Sequence, residues 1–174
     1  MKPSEPVPVK LICGVLFSDA KLVEEALRRM VVLYGPVDYK SPSYPFTVTD
    51  YYVTEMGSPI FRQFVSFREL IHPARLPQIK IDCNAIEDQL AFSGSRKVNL
   101  DPGYMDYDKL VLASAKYNGH KIYLDLGIYA DLTLRFERGG YQAAPYAFPD
   151  FKSGRYEEAF LHIRAKYKGQ MRRI

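Results

Sequence analysis

An α+β domain is the fold class that this sequence predicts, from three patterns of apolar residues. A short apolar run near the N-terminus leads into an amphipathic helix, strand-like and helical segments alternate again in the middle, and the last third alternates apolar with polar residues. The chain has 174 residues, 47% of them hydrophobic and 25% charged. A chain of this size can fold around one core without disulfides, so we expect residues 1–174 to form a single domain.

The N-terminal elements have the clearest boundaries. Val9 to Phe17 is a short apolar run that ends at Ser18-Asp19, which predicts a buried strand followed by a helix N-cap. In the next segment the apolar residues from Leu22 to Tyr34 recur at helical spacing. Gly35-Pro36 then marks the end of this helix, because glycine favours the left-handed cap and proline cannot continue the helix.

The following segment is predicted to be a loop and a hairpin. Asp38 to Pro45 contains two prolines and two serines, which favour a loop, and Phe46 to Met56 is rich in β-formers. Gly57-Ser58 suggests a tight turn that leads into a returning strand over Ile60 to Phe67. The alternative for that last segment is a helix capped by Ser58.

A second helix is predicted in the middle of the chain, between an irregular proline-containing stretch and Gly94. Its buried stripe consists of Leu76, Ile79, Cys83, Ile86 and Leu90. Strand character resumes at Arg96 to Leu100, and Asp101-Pro102-Gly103-Tyr104 is expected to be a turn.

The last third is predicted to be a β-meander followed by a helix. A type I′ turn at Asn118-Gly119 would pair Lys116 with Lys121 and Val111 with Leu126. That register would bury Val111, Ala113, Ala115, Ile122, Leu124 and Leu126. Ile128 to Phe136 alternates in the same way, and the final helix would bury Tyr156, Ala159, Phe160, Ile163 and Tyr167. The first six elements therefore follow the order of a ferredoxin-like βαββαβ core, extended by an antiparallel meander and a C-terminal helix.

The charge distribution bears on partners and location. Residues 152–174 hold seven cations and two anions, so this basic tail carries +5 and the rest of the chain −1. Without a broad positive surface, nucleic acid is an unlikely partner except through the tail, whose cations can equally serve a helix C-terminus. No apolar run approaches the roughly 20 residues of a membrane span. We expect a cytoplasmic protein with Cys13 and Cys83 as buried thiols.

Several reaction classes lack their sequence motifs. The chain has no phosphate-binding G-x-x-x-x-G-K-[ST] loop, no G-x-G-x-x-G, no G-x-S-x-G and no C-x-x-C. His72, His120 and His162 stand alone, without a second histidine or cysteine at metal-ligand spacing. We expect them to be surface or packing residues.

Polar residues nevertheless gather at two places. Lys80, Asn84 and Glu87 share one side of the second predicted helix, beside its buried stripe. Downstream, Asn99 and Asp101 flank a strand end. The cations in this region suit phosphate oxygens, and the carboxylates suit Mg²⁺, although the residues specify no cofactor. The alternative is a capped turn beside a solvated helix face.

A family resemblance connects these places. Glu55-Met56-Gly57, Asn99-Leu100-Asp101-Pro102-Gly103-Tyr104, Lys109 to Ser114 and Gly127 to Leu134 resemble an uncharacterised prokaryotic family, domain of unknown function 4416. The likeness covers nearly the whole chain and implies no established activity. It implies that a polar set belongs to the family pattern, in which position 131 is often Glu. That set is Glu55, Arg62, Lys80, Asn84, Glu87, Arg96, Asn99, Asp101, Tyr104, Lys116 and Asp131.

We therefore expect a binder of, or an enzyme acting on, a phosphate-bearing small molecule or nucleotide. Its anion contacts would be Arg62, Lys80, Arg96 and Lys116, with Asn84, Glu87, Asn99 and Tyr104 completing the substrate-binding set. Glu55, Asp101 and Asp131 would act as metal ligands or general base. The alternatives are an RNA-binding or protein-interaction module, and a structural protein whose polar residues form an internal salt-bridge network.

Overall fold

A computed structural model describes residues 2–174, which have a mixed α+β fold. The strands are β1 (Val9–Phe17), β2 (Val37–Lys40), β3 (Tyr44–Pro45), β4 (Phe61–Ile71), β5 (Val98–Met105), β6 (Lys109–Ser114), β7 (Ile122–Asp125), β8 (Ile128–Glu137) and β9 (Gly140–Ala143). The α-helices are α1 (Ala20–Tyr34), α2 (Val53–Met56), α3 (Leu76–Leu90), α4 (Pro149–Lys152) and α5 (Glu157–Met171).

The strands form one antiparallel sheet in the order β2-β4-β1-β5-β6-β8-β7, with β3 paired to β4 and β9 to β8. Helices α1 and α3 pack on one face, where their apolar stripes meet alternate residues of β1. Helices α4 and α5 cover the other face around Phe64. Because β1 is buried on both faces, all nine of its residues are buried, which explains why Lys10 is the only charged residue in this apolar run.

The periodic elements confirm the sequence predictions. Helix α1 begins after Asp19, whose carboxylate accepts a hydrogen bond from the Lys21 backbone N–H, and it ends at Gly35. The strand interpretation of Ile60 to Phe67 is confirmed by β4. The buried sides of α3 and α5 contain most of the residues expected there.

The predicted β-rich segment Phe46 to Met56 is wrong, and Gly57-Ser58 is not a hairpin turn. This segment holds no strand and includes the short helix α2. Phe46, Met56 and Ile60 pack with Leu16 in a small cluster of their own. Burial of these few side chains fixes the backbone, and the strand propensity of the intervening residues is overridden.

The predicted turn at Asp101 to Tyr104 is also wrong, since all four residues lie in strand β5. This strand pairs with β1 along its whole length, from Val98 opposite Phe17 to Met105 opposite Lys10. Because β5 lies inside the sheet and is fully paired with β1, its backbone stays extended despite the turn-forming Pro102 and Gly103.

The register predicted from Asn118-Gly119 is wrong as well. Strand β6 pairs with β8, and β7 is an edge strand that pairs only with β8. The two consecutive positive φ angles of the hairpin turn are found at Leu126 (55°) and Gly127 (75°). Ile122 and Leu124 are consequently exposed. The physical reason is that the ten-residue β8 offers β6 a longer alternating partner than the four-residue β7.

No helix among residues 2–174 has the length and apolar character that a bilayer crossing needs.

Candidate functional site

A cleft opens where strands β5 and β6 separate. They pair only from Gly103 opposite Leu112 to Met105 opposite Leu110. At Gly103 they approach so closely that a Cβ atom would collide with the Val111 carbonyl oxygen. One residue earlier, Pro102 has no N–H to donate, and the strands diverge. The sequence block that suggested a turn thus marks the place where the sheet splits.

The wider part of this cleft, which we call the outer cavity, has a volume of about 600 Å³. The diverging ends of β5 and β6 form two of its walls, and α3 forms a third. Its polar lining consists of Lys80, Asn84, Glu87, Asp88, Arg96, Asn99, Asp101, Ser114, Lys116 and Lys121.

A smaller inner pocket of about 140 Å³ continues from the outer cavity over the face of the sheet. The two share Tyr52, Asp101, Ala113, Ser114, Lys121 and Phe148. Four residues line only the inner pocket: Arg62, Asp131 and the apolar Leu112 and Phe151. Gly14 of β1 lies beside Arg62 and Phe64, and a Cβ there would crowd the Phe64 ring at 3.1 Å.

Most of the polar residues singled out in the sequence converge here. Arg62, Lys80, Asn84, Glu87, Arg96, Asn99, Asp101, Lys116 and Asp131 line one or both parts of the cleft. Two members of the predicted set do not. Glu55 is paired with Arg96 and does not line the cleft. Tyr104 packs with Val111 and Ile128 on the face of the sheet that α3 covers. Tyr104 lies away from the cleft because strand alternation places its side chain on the opposite face of β5 from Asp101 and Gly103.

Arg96 organises one wall of the cleft. Its guanidinium donates to both carboxylate oxygens of Glu55 (2.7 and 3.0 Å), to Glu87 Oε2 (2.9 Å) and to Asn99 Oδ1 (3.1 Å). The other oxygen of Glu87 accepts the Leu100 N–H at 2.6 Å. Both glutamates thus have a partner for each oxygen. We call Glu55, Glu87 and Arg96 the saturated wall.

The two glutamates of the saturated wall have opposite pKa shifts. The hydrogen bonds from Arg96 hold the pKa of Glu55 below its ordinary value of 4.5. Burial raises the pKa of Glu87, which is only 3% exposed. Because Glu55 is a tightly held anion outside the cavity, the geometry suits it to position Arg96 and not to accept a proton.

Asp101 and Asp131 are held differently. The Asp101 oxygens lie 3.7 Å from Lys80 Nζ and 3.8 Å from Arg62 Nη1. Those of Asp131 lie 3.5 Å from Lys121 Nζ and 3.6 Å from His120 Nε2. Each carboxylate therefore has cations nearby but, within residues 2–174, accepts no hydrogen bond from protein. We call Asp101 and Asp131 the open carboxylates.

Buried polar atoms without a hydrogen-bond partner are concentrated at this cleft. In the part of the chain that the structure describes, the five such side-chain atoms are Arg62 Nε, Asn99 Nδ2, His120 Nε2, Asp131 Oδ1 and Asp150 Oδ1. Three belong to residues that line the cleft, and His120 and Asp150 lie directly against those residues. Unsatisfied buried groups are rare in folded proteins, so their clustering indicates a place completed by a ligand or by water.

Two lysines keep donors available. Lys80 Nζ, with its residue 7% exposed, donates to the Leu100 carbonyl oxygen at 2.7 Å. Lys121 Nζ donates to Ser114 Oγ at 2.8 Å and weakly to a backbone carbonyl. A lysine ammonium carries three donors, so both retain capacity for a further acceptor.

The guanidinium of Arg62 is surrounded by aromatic rings and a buried carboxylate, which leave less of its charge available than that of the two lysines. Its guanidinium carbon lies 5.0 to 5.9 Å from the ring centres of Phe46, Phe64 and Phe151. Its Nε lies 3.0 Å from the buried Asp150 carboxylate, although the two are not aligned for a hydrogen bond. This arrangement fixes the guanidinium beside Asp101.

The sequence prediction missed several residues of the cleft. Lys121 and Ser114 line the cleft but are absent from the predicted site residues. Asp150 gave no signal, since a single carboxylate near a proline resembles an ordinary helix start. His120 stacks on Tyr146 as a packing residue, with ring centres 3.8 Å apart, yet it also faces Asp131.

Metal-binding geometry is not evident in the described residues, 2–174, which contain no group of three or more His, Cys, Asp or Glu side chains placed to hold a metal ion. The open carboxylates are instead surrounded by cationic side chains.

Comparison with known proteins places the chain in a family. Residues 7–167 match the family described as Domain of unknown function (DUF4416), and the chain belongs to it. The match covers most of the chain and agrees with the resemblance carried by the block from Asn99 to Tyr104. No curated protein and no solved structure gives a significant match.

Proposed function

We propose that the cleft binds a phosphate-bearing small molecule. The observation that carries this proposal is the concentration of unsatisfied buried polar atoms at one cavity whose size is typical of small-ligand sites. Lys80, Lys116 and Lys121 line that cavity and supply positive charge, and the free Asn99 amide adds a neutral donor. Ammonium and amide donors of this kind suit phosphate oxygens.

Within this class, the aromatic side chains favour a nucleotide as one candidate. Tyr52 and Phe148 border both parts of the cleft, where a base could stack on them. If the protein is also an enzyme, the open carboxylates Asp101 and Asp131 are better placed than Glu55 to accept a proton, since both of them line the cleft.

Calorimetric titration tests the proposal. Inorganic phosphate, ribose 5-phosphate and adenosine monophosphate would be titrated into the wild type, into Lys80→Met and into Lys21→Met, a control on the exposed face of α1. We expect saturable binding by the wild type and the control, and binding about tenfold weaker by Lys80→Met, because a charge-assisted hydrogen bond is lost. Absence of wild-type binding to all three compounds at millimolar concentration would contradict the proposal.

A structural role is the second candidate, and the saturated wall favours it for that part of the cleft. Here the polar residues would serve as an internal salt-bridge network without a ligand. A large fall in the melting temperature of Lys80→Met, combined with no ligand binding by the wild type, would support this role.

We propose in addition that β2, β4, β1 and β5, with α1 and α3 on one face, form a ferredoxin-like core. The order of these four strands and their antiparallel pairing support this arrangement. The opposite face is covered by α4 and α5, which does not favour RNA binding on an open sheet. The free thiols of Cys13 and Cys83 are consistent with the reducing cytoplasm, the location that we propose.

A further inference from the structure

We infer that the ligand of this cleft is a sugar or polyol phosphate, whose hydroxyl groups bind the open carboxylates Asp101 and Asp131 in the inner pocket. This inference rests on the proposed phosphate-binding function and specifies the remainder of the ligand.

The chemistry of the inner pocket requires a hydrogen-bond donor. An ionised carboxylate only accepts hydrogen bonds, and Asp131 Oδ1 is buried without a donor within residues 2–174. A phosphate dianion cannot supply one, because it only accepts hydrogen bonds, and the carboxylate would repel its negative charge. The part of the ligand next to Asp131 must therefore carry a donor of another kind.

The surrounding charges favour a neutral donor. Lys121 and His120 lie within 3.6 Å of Asp131, and Lys80 and Arg62 lie within 3.8 Å of Asp101. Lys121, Lys80 and Arg62 already balance the carboxylates, so they would repel an additional ammonium group on the ligand. A hydroxyl group carries no charge and can donate to a carboxylate oxygen without that cost.

The placement of the two carboxylates suits neighbouring hydroxyl groups. Asp131 of β8 lies opposite Leu112 of β6. Both residues line the inner pocket together with Asp101 and Ser114. The volume of about 140 Å³ corresponds to about five water molecules, which is small for a whole nucleotide. Leu112 and Phe151 offer apolar surface to the C–H groups of a compact hydroxylated skeleton.

The phosphate would then lie in the outer cavity. Asn99 Nδ2 is a donor without a partner in a residue that is 5% exposed, and it lines this cavity with Lys80 and Lys116. Asp131, which lines only the inner pocket, thus faces the skeleton, and Lys80, Asn99 and Lys116, which line only the outer cavity, face the phosphate. The two ends of the cleft are complementary to the two ends of one molecule.

The test compares ligands with and without the hydroxylated skeleton. Ribose 5-phosphate, glucose 6-phosphate, glycerol 3-phosphate and inorganic phosphate would be titrated calorimetrically into the wild type, Asp131→Asn and Asp125→Asn. Asp125 is an exposed carboxylate on β7 and provides the matched control. Thermal unfolding of each variant would verify that it is folded at the temperature of the titration.

We expect at least one of the three esters to bind the wild type at least tenfold more tightly than inorganic phosphate. Asp131→Asn should reduce this preference to about threefold or less without weakening inorganic phosphate, because only the contact to the skeleton is lost. Asp125→Asn should match the wild type.

Two results would overturn the inference while leaving the proposed function intact. One is equal wild-type affinity for all three esters and inorganic phosphate. The other is an ester preference that Asp131→Asn leaves unchanged. A wild type that binds none of the four compounds, and no adenosine monophosphate either, would instead contradict the proposed function itself.

Discussion

The two glutamates of the saturated wall and the two open carboxylates lie in or beside one cleft. All four are carboxylates, yet they differ in how many of their hydrogen bonds the protein satisfies. Glu55 and Glu87 have a protein donor on every oxygen, all within 3.0 Å. Asp101 and Asp131 have cations at 3.5 to 3.8 Å and no hydrogen bond from the residues described. This difference teaches that charge alone does not identify a binding group; the unused hydrogen-bonding capacity does.

The same comparison divides the basic residues. Arg96 donates four side-chain hydrogen bonds to the protein, which occupy most of its donors. Lys80 donates one hydrogen bond and keeps two donors for another acceptor. We therefore expect substitutions in the saturated wall to affect stability, and substitutions among the open groups to affect binding.

The largest expected effect is that of Arg96→Ala on stability. Removing the guanidinium leaves the buried Glu87 carboxylate without its charged partner, and we expect the free energy of unfolding to fall by about 3 kcal/mol. Urea denaturation measures this, with Arg28→Ala as a control whose exposed pair with Glu25 should contribute much less. If both variants lost the same small amount of unfolding free energy, the saturated wall would have no special role in stability.

A smaller effect concerns the pH dependence of stability, where the two glutamates should act with opposite sign. The lowered pKa of Glu55 contributes stability that is present above pH 4.5 and is lost as the pH falls through the folded-state value. The raised pKa of Glu87 contributes stability that is present below pH 4.5 and is lost as the pH rises through its folded-state value.

Urea denaturation between pH 3 and pH 7 would therefore separate them. Relative to Glu55→Gln, the wild type should lose stability on acidification below pH 4.5. Relative to Glu87→Gln, it should lose stability as the pH rises above 4.5. The same sign for both variants would show that the two glutamates are not held as the structure indicates.

The smallest expected effect on stability is that of Asp101→Asn. Because this carboxylate accepts no hydrogen bond from residues 2–174, its loss should change the free energy of unfolding by less than about 1 kcal/mol. Denaturation in parallel with Arg96→Ala checks the contrast. A loss as large as that of Arg96→Ala would place Asp101 in the structural network.

Some of this architecture could be predicted from the sequence. Helices α1, α3 and α5 follow from the 3.6-residue spacing of their apolar residues, and β1 follows from an apolar run that only Lys10 interrupts. The block Asp101 to Tyr104 and the segment that contains α2 could not be predicted, because their backbones are fixed by partners distant in the chain. The exposed β7 shows the same limit, since β8 decides the pairing of β6.

For the cleft, strand alternation and the family resemblance together brought most of the polar set to one place. Neither could separate Glu55 from Asp131, because the distinction depends on the positions of Arg96 and Lys121 in three dimensions. Asp150 belongs to no sequence motif and illustrates the point: its contact with Arg62 joins two elements far apart in sequence.

The most direct test of the account is a measurement on the Asn99 side-chain amide, the buried donor without a partner. In ¹⁵N–¹H correlation spectra, this amide would be followed during titration with the sugar or polyol phosphate that binds most tightly, with the exposed Asn118 amide as the internal control. We predict that the Asn99 amide protons shift downfield in proportion to saturation, since they gain a phosphate acceptor, and that Asn118 does not move. An unmoved Asn99 amide at full saturation would contradict the claim that the ligand completes the open groups of this cleft.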